Sequence, residues 1–142
     1  MASSIDLLDE SGTASSWNKY VEFQTQSGVT YAGYQVFVLP TSIPASSITS
    51  IQVQVNYQGP VAGTQVWTWQ IYDWVHGTYV TVGSNSGAPE WGAWKILVLN
   101  VPGTLSSYVR SIDGQIRVQL LSNNSADNAD IDYESVVVRY QQ

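Results

Sequence analysis

The sequence predicts an all-β fold, an antiparallel β-sandwich or jelly roll of about eight strands. Three observations carry that prediction. Short strand-like runs recur along the 142 residues, separated by clusters of Gly, Pro, Ser and Asn. Several runs alternate apolar and polar residues, as an antiparallel strand does when one face is buried and the other solvated. No heptad or long helical period competes with them.

The runs lie at 20–24, 34–39, 50–57, 65–74, 78–83, 94–101, 115–122 and 132–140. In the third, Ile51, Val53, Val55 and Tyr57 share one face, with Gln52, Gln54 and Asn56 opposite. In the seventh, Ile116, Val118 and Leu120 oppose Arg117 and Gln119. Punctuation falls between the runs, at Pro40 and Pro44, Gly59-Pro60, Pro89, Pro102-Gly103 and the Asn-rich stretch 122–130. Residues 105–112 are expected to hold one short helical turn. Length and even spacing suit a single domain, 1–142, able to bury its own core without disulfides, and the chain has no cysteine.

Charge excludes several partners. Only 11% of residues are charged, and five basic residues face eleven acidic ones, for a net charge of −6. Lys19, Lys95, Arg110, Arg117 and Arg139 are scattered, so neither a nucleic acid nor an anionic membrane surface is expected as partner. The start, MASSIDLLDE, has neither the basic residues nor the apolar run of a signal peptide. One histidine and no glycine-rich phosphate loop leave almost nothing for triad, histidine–metal or nucleotide chemistry.

Aromatic usage points elsewhere. Six Trp and nine Tyr stand against two Phe. Trp and Tyr carry a polar atom that wants water or a partner, so some rings are expected at the surface. The stretch TWQIYDWVHGTYV, residues 68–80, concentrates them. A turn at His76-Gly77 makes it a hairpin with Trp74 opposite Tyr79 and Ile71 opposite Val82. Trp67, Trp69, Ile71, Val80 and Val82 then form a core face. Gln70, Tyr72, Trp74 and Tyr79 form the other, too aromatic for a purely solvated surface.

Sugars stack C–H faces on flat rings and need polar side chains around them. Trp74 with Asp73 and Gln70 supplies both parts, as does Trp91 with Glu90 in a Gly/Pro-rich loop. Trp94 opens a strand and is expected to pack. Tyr31 and Tyr34 are read as a lid over a sandwich edge. The acids Asp130, Asp132 and Glu134 alternate onto one face, and Asp9 lies in a second acidic group near the start. Their density suits a Ca2+ site, although no EF-hand spacing is present. A glycosidase acid/base pair is disfavoured, because these acids cluster at loop ends of a small sandwich.

TWQIYDWVHGTYVTVGS, WGAWKILVLNVPGTLSSYVRSIDGQIRVQLLS and ADIDYESVVVRY together resemble bacterial carbohydrate-binding modules of the galactose-binding-like, jelly-roll type. Such modules are appended to secreted glycoside hydrolases. The resemblance spans about residues 65–140. It implies a noncatalytic, extracellular, monomeric module that binds polysaccharide and is covalently linked to a catalytic domain. It also raises the possibility of a structural Ca2+ joining the first strand region to the last. Low charge and many exposed rings suit a neutral plant cell-wall β-glucan such as cellulose, xyloglucan or mixed-linkage glucan. The competing reading is a structural or adhesive sandwich whose rings serve core and interface.

Overall fold

Long-range pairing gathers all eight runs into two four-stranded antiparallel sheets. The structure is a computed structural model and describes residues 5, 8, 10–13 and 19–142. Its strands are β1 (Val21–Phe23), β2 (Ala32–Val38), β3 (Ile48–Gln58), β4 (Trp67–Asp73), β5 (Thr78–Ser84), β6 (Lys95–Asn100), β7 (Gln115–Ser122) and β8 (Ala129–Tyr140). The first sheet has the order β1-β8-β3-β6 and the second β2-β7-β4-β5. The pairs β1–β8, β2–β7, β3–β6 and β4–β5 are those of one long hairpin rolled over on itself. Pairing of β3 with β8 and of β4 with β7 completes the two sheets. This is the jelly-roll arrangement. The helical turn expected at 105–112 is one 3-10 turn, Leu105–Tyr108, and a second, Ala45–Ser47, has no signal in the sequence.

The alternating strands do what their pattern dictates. Ile51, Val53, Val55 and Tyr57 of β3 are buried against Trp67, Trp69 and Ile71 of β4 and the apolar row of β7. Trp67 and Trp69 have no exposed surface and are structural, as expected. Trp94 packs edge-on against Tyr20, with ring centroids 5.4 Å apart. At the edge away from β1 and β2 the sheets come close, and a glycine stands at the contact. A Cβ on Gly83 would lie 2.7 Å from Leu99 Cδ2.

A buried polar network fastens one end of the sandwich. The Asn85 side chain accepts from the Trp67 backbone N–H at 3.1 Å. Its amide nitrogen donates to Tyr57 Oη, Pro60 O and Gln65 O at 3.0–3.1 Å. Gln65 in turn accepts from Trp67 Nε1 at 2.8 Å and donates to the carbonyls of Asn124 and Asp127. The β3–β4, β5–β6 and β7–β8 connections are thereby tied together with these buried polar atoms satisfied.

Candidate functional site

The β4–β5 hairpin differs in register from the expectation, and the cause is local. Tyr72, not Trp74, is paired with Tyr79, and Ile71 is paired with Val80, not Val82. The loop is Trp74 to Gly77, because Asp73 caps it. Asp73 Oδ1 accepts from the backbone N–H groups of Val75 and His76 at 3.0 Å, and Oδ2 meets His76 Nδ1 at 2.7 Å. The Gly77 N–H bonds back to Asp73 O at 2.8 Å, with Gly77 at φ +68°. Burial pushes the Asp73 carboxyl up, but the bonds from His76 and Val75 outweigh it and leave it below its usual value. From Gln70 to Asp73 the slip is two residues, so those side chains and their partners Thr78 to Thr81 keep their faces, and a bulge between Trp69 and Gln70 then pairs Gly83 with Trp69. Asp73 itself is buried in the turn, and the expected partnership of Trp74 with Asp73 beside a ligand does not form.

The outer face of the second sheet is where the remaining rings meet. Tyr72 stands edge-on to both Trp74 and Tyr79, with centroids 4.8 and 5.0 Å away. β7 adds Arg117, whose guanidinium carbon lies 4.5 Å from the Tyr34 ring centroid, 5.0 Å from Trp74 and 5.6 Å from Tyr72. Arg110 lies over Trp74 at 4.6 Å and is bound through Nε to Asp113 Oδ1 at 2.9 Å. That bond holds the Asp113 carboxyl down at about 2. One row along, Gln119 donates to Gln70 at 3.1 Å and Gln70 to Thr81 at 3.3 Å. Tyr34, on the facing edge strand, is 51% exposed. The face therefore offers a patch of rings and a row of amides side by side, all on strands except Trp74, which opens the β4–β5 loop.

Several site residues were not legible as such in the sequence. Tyr34 is not part of a lid. Tyr31 turns inward onto Phe23 and Trp67, whereas Tyr34 stays on the sheet surface. Arg117 and Gln119 were visible as the polar side of an alternating run. Only the β2-β7-β4-β5 order shows that this side borders Tyr34 and Tyr72.

Trp91 and Glu90 lie at the other end of the sandwich. Trp91 Nε1 donates to Asp127 Oδ2 at 2.7 Å, and Gly92 N donates to Gln58 at the end of β3. Trp74 instead sits past the opposite end of β4, its N–H on Ser107 O at 2.9 Å. A strand of this length separates the two tryptophans by about 20 Å.

The acids of β8 do not share a face. A bulge between Asn56 and Tyr57 of β3 leaves Asp132 unpaired between Ile131 and Tyr133. Asp130 then pairs with Gln58, whereas Glu134 pairs with the core residue Val55. Asp132 accepts from Asn56 Nδ2 at 2.9 Å and from Glu10 N at 3.2 Å. Burial raises Glu134 to about 8, and burial followed by the charge of Glu22 raises Asp130 to about 7. Asp9 lies outside the described residues. Among the described residues no three His, Cys, Asp or Glu side chains are grouped to hold a metal ion.

Comparison with known proteins follows the same line. The chain belongs to the family of N-terminal glycosyl-hydrolase-114-associated domains, which it matches over residues 5–133. No curated protein matches it. Among solved structures it is similar to TmCBM61 in complex with beta-1,4-galactotriose, at 16% identity and a TM-score of 0.52, covering 84% of this chain and 70% of that one. It is similar too to the CBM35 from Cellvibrio japonicus Abf62, at 16% identity and a TM-score of 0.46, covering 97% and 89%. The infectious bursal disease virus Gx strain structure matches at 16% identity and a TM-score of 0.50, over 85% of this chain and 29% of that one. The fold is thus shared by a carbohydrate-binding module and a viral protein, and function has to be argued from the site. No helix among the described residues is long and apolar enough to cross a membrane.

Proposed function

We propose that this domain is a noncatalytic, extracellular carbohydrate-binding module that holds a linked glycoside hydrolase on plant cell-wall polysaccharide. The observation that carries the reading is the outer face of the second sheet. Tyr34, Tyr72, Trp74 and Tyr79 offer ring surface for sugar C–H faces, and the Gln119–Gln70–Thr81 row offers donors and acceptors for hydroxyls. Family membership supports the association with a glycoside hydrolase. β-Glucans, as expected from the sequence, are one arm of the test and β-1,4-galactan is another. Ca2+ binding by Asp130, Asp132, Glu134 and Asp9 stays a separate proposal, tested by chelation.

Affinity electrophoresis of the wild-type chain against soluble xyloglucan, mixed-linkage glucan and galactan tests the reading. Retention is expected on at least one polymer. Trp74→Ala and Tyr34→Ala are each expected to weaken it by at least about tenfold, because aromatic anchors dominate such sites. Trp91→Ala, at the far end, is expected to leave it unchanged. Loss in Trp91→Ala alone moves the site to the opposite loops. Retention on no glycan favours the structural or adhesive sandwich.

A further inference from the structure

We infer that Arg117, seated among Tyr34, Tyr72 and Trp74, receives the carboxylate of an acidic sugar, so that this face takes a uronate-containing polysaccharide. The inference rests on the glycan-binding reading above and replaces the neutral glucan with a charged one.

A guanidinium carries five N–H donors in a planar fork that matches a carboxylate. Among the described residues, Arg117 meets one side-chain acceptor, Gln115 Oε1, at 3.0 Å from Nη2. Its Nε is enclosed and has no partner. Arg110, by contrast, is already committed to Asp113 through two bonds. The three rings crowd around the Arg117 guanidinium and limit its freedom, so less entropy is lost when a ligand is gripped.

Charge placement agrees. The four strands of this sheet contain one acid, Asp73, and it is buried in the β4–β5 turn. Beside the rings lie two cations, Arg117 and Arg110, and the one carboxylate described next to them, Asp113, is bound to Arg110. The net −6 acts at long range and is screened beyond about 8 Å at physiological salt. Gln119 stands two residues along β7, about 7 Å from Arg117. That spacing lets one sugar place its carboxylate on Arg117 and a hydroxyl on the Gln119–Gln70 row.

Titration calorimetry of the whole chain tests this, with tetragalacturonate, a neutral galactotetraose and polyglutamate as ligands. The uronate is expected to bind at least about tenfold more tightly than the neutral sugar, with affinity falling in 0.5 M salt. Arg117→Gln is expected to abolish that preference. Arg117→Lys keeps the charge without the fork and is expected to reduce it, and it carries the comparison if the Gln variant melts early. Equal affinity for both tetrasaccharides overturns the inference while glycan binding stands. Polyglutamate bound as tightly as the uronate overturns it in favour of charge alone. Binding of neither sugar overturns this inference and the glycan-binding reading together.

Discussion

At the scale of single residues, burial decides which polar groups serve structure and which are open to a ligand. Asn85 has no exposed surface and all its side-chain atoms are engaged. Asn85→Ala would remove the partner of the Trp67 N–H and of Gln65 O and one of two bonds at Pro60 O and Tyr57 Oη, and a loss of about 3 kcal/mol is expected in urea unfolding. Glu134 is the reverse case, a buried acid whose folded value is raised to about 8 by desolvation. An unfolded glutamate titrates near about 4.3. Between those values the folded state binds more protons than the unfolded one, so stability falls as pH rises. Asp130, raised to about 7, acts in the same direction. Thermal unfolding from pH 5 to pH 8 should therefore show a falling Tm, and Glu134→Gln should flatten the profile. A Tm that rises over this window would place a cation against these acids.

At the scale of elements, turns set what the strands present. The Asp73 cap fixes the β4–β5 loop at four residues and brings Tyr72 across from Tyr79. Asp73→Ala removes those bonds and is expected to cost about 1–2 kcal/mol, like the loss of a helix cap. It should also disorder Trp74, visible as a red shift of fluorescence. Gly114 closes the turn before β7 at φ +76°, and a Cβ there would lie 2.5 Å from Leu39 O. The Leu39 N–H bonds back to Gly114 O at 2.9 Å, so the neighbour cannot retreat without losing that bond. Gly114→Ala is expected to destabilise the chain by at least about 2 kcal/mol in denaturant unfolding.

At the scale of the whole molecule, the two sheets divide the work. Their inner faces form one apolar core, in which Trp67→Ala should cost about 3–5 kcal/mol. The outer face of the second sheet stays open and carries the rings, the amide row and Arg117. A rigid sheet holds such groups in place without ordering cost, which suits recognition of an extended polymer. Chelation tests the metal question at this scale. With the acids divided by the β8 bulge, Tm is expected to be the same in EDTA and in Ca2+. A Ca2+-dependent rise would restore an ion-binding role to the acidic segments.

The sequence by itself determined the elements and their faces. Period-two alternation marks Ile51 to Tyr57 and Ile116 to Leu120 as buried rows, because a strand turns successive side chains to opposite sides. The same parity assigned Trp67 and Trp69 to the core and Tyr72, Trp74 and Tyr79 to the outer face, and it survived a two-residue error in register. Only the tertiary structure decided which outer faces adjoin. Strand order brought Arg117 and Gln119 beside Tyr34 and Gln70, and it sent Trp91 to the far end. A single bulge separated Glu134 from Asp130, although their spacing along the chain is even. Alternation is a local steric rule, whereas adjacency and bulges depend on pairing between residues far apart in the chain.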